Sequence, residues 1–305
     1  MIYATQTLES VLEQYEKQKE ILERAEILVS FANGDQGIVG IDGRAYPLPS
    51  REDIQNRANG NREVLETKVL QGFSRLIMTP FGMSLDQFHE KVSGVILKHS
   101  EEAKLFATKK DLNDPNEKLI PVDLDANQPF WRWDKYKDAN KNGTLVYDPI
   151  EFSEKHQGKT KLQILADTTG GGSSGWRVSL VEDIPNLPFE KAGKTIGGRR
   201  QIEANKSPID YLASFQSDRN YVNEHGMTPE DWAMYFLSHL EETDQIIDDY
   251  EGAGNVSWNL GGYFPENSGV PTACFVRSVR QVRAGWLGAR YFGPVYCARS
   301  LVRII

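Results

Sequence analysis

The side chains able to do chemistry are few, and their spacing suits no common mechanism. Cys274 and Cys297 are the only two cysteines in a chain of 305 residues. Two thiols so far apart cannot build a four-ligand zinc site or a disulfide framework, which leaves at most one bridge. His89, His99, His156, His225 and His239 share no ligand spacing with each other or with the cysteines. Gly171, Ser173 and Gly175 satisfy G-x-S-x-G, but a nucleophile elbow needs a helix directly after the serine, and residues 176–181 read as a strand. The run from Asp138 through Asn140 and Asn142 to Gly143 imitates the start of a calcium loop, yet Pro149 stands where the bidentate glutamate would be, so an Asx-rich turn is the better reading. Gly193-Lys194-Thr195 ends like a phosphate loop, with Pro188 in place of the first glycine and hence no backbone cradle. The expectation is no catalytic residue, no metal and no cofactor.

What the chain offers instead is material for recognition. Residues 274–297 read CFVRSVRQVRAGWLGARYFGPVYC, rich in arginine and aromatic rings and free of acids. Arg, Tyr and Trp dominate binding hot spots because each combines large area with a polar tip. A core strand also lacks acids, but burying Arg277, Arg280, Arg283 and Arg290 unpaired would be costly. An exposed arginine and aromatic surface is therefore expected. The charge is lopsided as well: the net charge is −8, yet every charged residue after Glu266 is an arginine, with Arg299 and Arg303 completing the six. Two readings stay open, a local attraction for acidic partners that salt would screen, or pairing of two or three arginines with the acidic body.

The elements that must hold this surface read as α+β. Residues 7–28 place Leu8, Val11, Leu12, Tyr15, Leu22 and Ala25 at helical spacing, a stripe that must be buried on the protein's own body or on a second chain. Ser50 with Asp53 starts a helix, a further run spans residues 62–77, and Ser84 with Gln87 opens another over 85–99. From about 115 the chain turns to short strand-like pieces, LIPVDL, FWRW and TLVYDPIEF. TTGGGSSG at 168–175 reads as flexible. Ser207-Pro208 and Thr228-Pro229-Glu230-Asp231 each place a cap and a first-turn proline, with Trp232, Phe236, Leu240 and Ile247 on one helical face and Gly252 and Gly254 as its end. A final strand from Ser300 is expected to lie between neighbours. No run is long and apolar enough to span a membrane, and the first residues are acidic and helical rather than leader-like, so a cytoplasmic protein is expected, with surface or particle display left open.

The order of these elements, with the stretches GKTIGGRRQIEANKSP (193–208), GMTPEDWAMYFLSHLEETDQIIDDY (226–250), GGYFPENSGVP (261–271) and CARSLVRI (297–304), resembles a C-type lectin-fold domain of the formylglycine-generating-enzyme type. Within that fold it is similar to the variable proteins of diversity-generating retroelements. The resemblance covers residues 159–305 and, more loosely, 115–158. It implies a mainly helical N-terminal region over 1–158 with a β-rich connector from about 115, then a ligand-binding domain over 159–305 with its variable region near 275–296. It also implies that adenines of a template repeat are randomised during reverse transcription. An asparagine codon so treated never yields Lys, Glu, Gln, Met or Trp, and residues 274–297 hold only Gln281 and Trp286 of these types. Those two are expected to be scaffold, with Trp258, Gly261 and Gly262. The ligand-facing candidates are Phe275, Arg277, Val279, Arg280, Val282, Arg283, Leu287, Arg290, Tyr291, Phe292, Val295 and Tyr296.

The function this implies is a non-enzymatic binder whose diversified face takes an unidentified macromolecular ligand, expected to be a protein, with an acidic one suited to the arginines. The fold likeness also admits an enzyme of the formylglycine-generating class, but that chemistry rests on cysteines close together. Single-stranded nucleic-acid binding would use arginines between Tyr291, Phe292 and Tyr296 for charge and stacking. The overall acidity opposes it.

Overall fold

A computed structural model describes residues 7–109, 114, 116–167 and 175–305. The class is α+β, a helical N-terminal region followed by a sheet-rich part. Among the described residues no helix is long and apolar enough to cross a membrane.

Caps decide where the helices begin. Ser50, Ser207 and Thr228 each accept from the backbone N–H of an aspartate three residues on, and Asp53, Asp210 and Asp231 reach back to the cap, opening Arg51–Gly60, Pro208–Ser217 and Pro229–Thr243. Such reciprocal caps satisfy donors that the helix leaves free. Ser84 caps Leu85–Glu101 in the same way on one side.

Three helix expectations need correction. The stripe over residues 7–28 is two helices, Leu8–Leu12 and Tyr15–Arg24. Gln14 at the break donates Nε2 to the Ser74 carbonyl at 2.8 Å and accepts from the Leu76 N–H at 3.0 Å, so it closes the edge of a strand. The stripe itself is buried on the protein's own body. The run 62–77 is helical only over Arg62–Leu70; Gly72, at φ +97°, turns the chain into a strand, Arg75–Thr79. The helix headed by Thr228 ends at Asp244 in the left-handed region, before Ile247, and it is buried all round from Pro229 to Leu240 rather than on one face.

Two sheets flank this buried helix, which touches Arg75–Thr79 of one and Gly269–Val276 of the other. The first runs His225–Gly226, Ser300–Arg303, Arg177–Val181, Arg75–Thr79, antiparallel throughout. The Ser300 strand thus lies between neighbours. This sheet joins residues on both sides of position 158, since Arg75–Thr79 pairs with Arg177–Val181, and one apolar cluster extends from Leu8 to Ile304. The second sheet runs Tyr296–Ala298, Val256–Trp258, Gly269–Val276, Gln281–Gly288, Phe130–Arg132, with Asp249–Tyr250 also paired to Gly269–Val276. FWRW and TLVYDPIEF supply the strands Phe130–Arg132 and Val146–Tyr147, whereas LIPVDL gives only an isolated bridge from Pro121 to Phe106.

Buried ion pairs lock the layers together. Asp248 accepts from Trp232 Nε1 at 2.7 Å, Ser257 Oγ at 2.7 Å and Arg299 Nη2 at 2.6 Å. Glu224 accepts from Arg199 Nε at 2.6 Å, Lys68 Nζ at 2.7 Å and Ser300 Oγ at 2.6 Å. Each of these carboxylates has donors on both oxygens, and removing one partner would strand the other in a poorly solvated site.

Candidate ligand-binding surface

The hairpin Gly269–Val276 and Gln281–Gly288 carries most of the arginine-rich stretch, and its register sorts the side chains. Directly paired residues share a face of a sheet, and successive residues alternate. Phe275 pairs with Val282, Ala273 with Ala284 and Pro271 with Trp286, making one row. Cys274 pairs with Arg283, Thr272 with Gly285 and Val270 with Leu287, making the other.

The first row faces the core. Phe275 and Val282 are both 0% exposed, so these two candidates do not face a ligand: their side chains fall on the inner side of the pleat. The other ten reach solvent. Val279, Arg280, Arg290, Tyr291 and Phe292 are exposed, Phe292 at 63%; Arg277, Arg283, Leu287, Val295 and Tyr296 are half-buried.

On the outward row, Arg283 sits beside Trp131 of the Phe130–Arg132 strand, its guanidinium carbon 3.9 Å from the indole centroid. That contact stabilises by about 0.5–2 kcal/mol according to how dry it is. Val256 pairs with Tyr296 across the sheet, and Tyr296 joins Trp258 at 5.3 Å and Tyr291 at 5.0 Å between ring centroids. Burial pushes the Tyr296 phenol up to about 12, so it stays protonated and can donate. The outer face therefore runs as a band of rings and one guanidinium, over a floor of buried Thr272 and Cys274.

The remaining candidates lie at the two ends of the hairpin. At the tip, Arg277 pairs with Asp249 through Nε at 2.7 Å and Nη2 at 2.5 Å, while Val279 and Arg280 project. At the other end, Arg290 lines a groove of about 710 Å³ with Ile150, Phe152, Ile209 and Leu212. Of the six C-terminal arginines, Arg277, Arg299 and Arg303 pair with Asp249, Asp248 and Asp148. Burial works to raise the Asp148 carboxyl, but Arg177 and Arg303 hold it well below the usual carboxylate range. Arg280, Arg283 and Arg290 have no ion-pair partner among the described residues. The pairing of some C-terminal arginines with the acidic body is thus observed for Arg277, Arg299 and Arg303.

The scaffold residues occupy constrained places. Trp258 is fully buried and forms the back of the ring cluster. Gly261 donates to the Met227 carbonyl at 2.8 Å, and a Cβ there would fall 2.7 Å from the Gly226 oxygen. Gly262 donates to the Asn259 carbonyl at 3.0 Å, and a Cβ on it would crowd Pro229 and Pro271. Gln281 is buried and donates to Asp125 and Gln128, both at 3.2 Å. Trp286 lies over Gly269 and 4.8 Å from Trp133. Trp131 and Gly285 are the parts of the face that sequence reasoning missed. The FWRW run was visible, but its pairing with a strand about 150 residues later leaves no trace in one sequence.

The motifs set aside in the sequence behave as ordinary structure. Cys274 and Cys297 are free and buried, and burial pushes both thiols up, Cys297 to about 12. Asp138–Gly143 is a short helical turn whose Asn140 side chain is used by Leu85 N–H and Tyr147. The Gly193 and Lys194 N–H groups donate to Glu203 and Gln201 rather than to a phosphate. Gly171 and Ser173, and the stretch 168–174 read as flexible, lie outside the described residues. Among the described residues no group of three or more His, Cys, Asp or Glu is arranged to hold a metal. Comparison with family models, with curated proteins and with solved structures returns no match.

Proposed function

We propose that the protein is a non-enzymatic, receptor-like binder that displays a diversified surface on a C-type lectin-type frame and is the target of mutagenic retrohoming by a diversity-generating retroelement. The observation that carries this is the two-sided hairpin: Phe275, Val282 and Ala284 anchor one side in the core, while on the other side Arg283 and Leu287 are half-buried and the adjoining Tyr291 and Tyr296 keep access to solvent, Leu287 and Tyr296 resting on a second apolar cluster. Outward side chains on an independently stabilised frame can change without unfolding it. The lectin-type reading is supported by the order of Arg177–Val181, Pro208–Ser217, Pro229–Thr243 and Ser300–Arg303, and by the pairing of the first with the last. The ligand is a macromolecule, a protein in this reading, held by rigid rings and arginines that lose little freedom on binding.

The deciding experiment is to sequence the adjoining DNA. The expected result is a near-copy of the codons for about residues 275–300, differing at adenines, beside a reverse transcriptase gene. Its absence overturns the retroelement reading. Against an enzyme of the formylglycine-generating class stand two buried, separately placed thiols whose protons are hard to remove, whereas cysteine chemistry uses the thiolate.

A further inference from the structure

We infer that Trp131 and Arg283 together form an anchor for one carboxylate, an acidic side chain of a partner protein. The inference rests on the reading that this face binds ligand, and it names the chemistry of that ligand. The Arg283 guanidinium carbon sits 3.9 Å from the centroid of the Trp131 ring, and among the described residues that guanidinium has no hydrogen-bond or ion-pair partner. Three other arginines of the same stretch of chain do have acids: Asp249, Asp248 and Asp148 serve Arg277, Arg299 and Arg303. Arg283 thus keeps its planar fork of donors unpaired, with the indole against the guanidinium to limit its freedom. A preorganised fork matches a carboxylate with two parallel hydrogen bonds and loses little freedom in doing so.

Trp131 comes from the Phe130–Arg132 strand, outside residues 274–297, so the platform is a fixed part of the site under a residue that belongs to the variable stretch. A phosphate would suit the same fork. A nucleic acid, however, would bring a line of negative charge to a chain already at −8, whereas one partner carboxylate meets mainly the local cation. The rings of Tyr291 and Tyr296 and the half-buried Leu287 on the same face suit an acidic residue flanked by apolar ones in a folded or peptide partner.

The test is a titration of the full-length, nitrogen-15-labelled protein at low salt, following the Arg283 Nε–H signal, which Arg283→Lys identifies by its loss. The probes are a capped tetraglutamate peptide, the matching tetraglutamine and inorganic phosphate. Tetraglutamate is expected to shift the Arg283 signal saturably and tetraglutamine not at all, with phosphate weaker than tetraglutamate. Arg283→Lys, which keeps the charge and loses the fork, is expected to weaken tetraglutamate binding about tenfold. Trp131→Phe should weaken it less than Trp131→Ala, with the rest of the amide spectrum unchanged in the phenylalanine variant. An Arg283 signal that tetraglutamate leaves in place, or an Arg283→Lys variant that binds as well as the parent, overturns the anchor. Phosphate binding as tight as tetraglutamate overturns the assignment to an acidic protein. A template repeat in the DNA with no carboxylate binding would remove this inference and leave the proposed function standing.

Discussion

Val282 and Arg283 are adjacent, yet one is sealed in the core and the other is half-buried against the half-buried Trp131 indole. The resemblance implies a ligand-facing place for both, because a stretch of sequence without its strand partners does not show the pleat. The difference is measurable. Phe275→Ala should destabilise by about 3–5 kcal/mol through the cavity it leaves, while Tyr291→Ala, at 47% exposure, should stay within about 1 kcal/mol, both read by urea unfolding. Similar losses for the two would place Tyr291 in the core. Histidines give a second residue-scale test. Burial, then Arg132 and Lys161, pushes His89 down to about 3, and burial, then Arg75, does the same to His239. Both are neutral in the fold and protonate readily when unfolded. The stability they support is complete above about pH 6.5 and declines towards pH 3, with the unfolded state taking up about two extra protons. His89→Phe should remove about one of them from the pH dependence of the urea midpoint; an unchanged slope would contradict this.

Helix starts were legible because a cap is local chemistry: Ser50, Ser84, Ser207 and Thr228 all begin the helices their neighbours announce. Strands were less so. Arg75–Thr79 is an apolar run whose two faces are both buried, and such a run has the same pattern as a buried helical turn until its partner, Arg177–Val181, is known. The same blindness hid Trp131. Hairpin seating is testable at Gly269, where a Cβ would fall 2.4 Å from the Trp286 ring. Gly269→Ala should cost about 1–3 kcal/mol through overpacking and shift the Trp286 fluorescence. A neutral substitution would show that the ring moves aside freely.

For the molecule as a whole, the continuous apolar cluster and the shared sheet predict one cooperative unit. A fragment of residues 159–305 lacks Arg75–Thr79, the helix Leu85–Glu101 and Trp131, so it should fail to give a cooperative urea transition. In the full chain, far-ultraviolet circular dichroism and tryptophan fluorescence should trace coincident curves. A fragment that unfolds sharply on its own would support the division at 158. The class and the order of elements could be read from sequence, but the joining of the two regions depends on contacts between distant parts of the chain.

The alternation along Gln281–Gly288 bears finally on the gene. An error-prone copying step has no knowledge of which way a side chain points, so under the proposed function the sparing of Val282, Ala284 and Trp286 has to be written into the nucleic acid. Mutable bases should then recur in every second codon across that strand, a comb whose teeth match the pleat of the sheet it encodes.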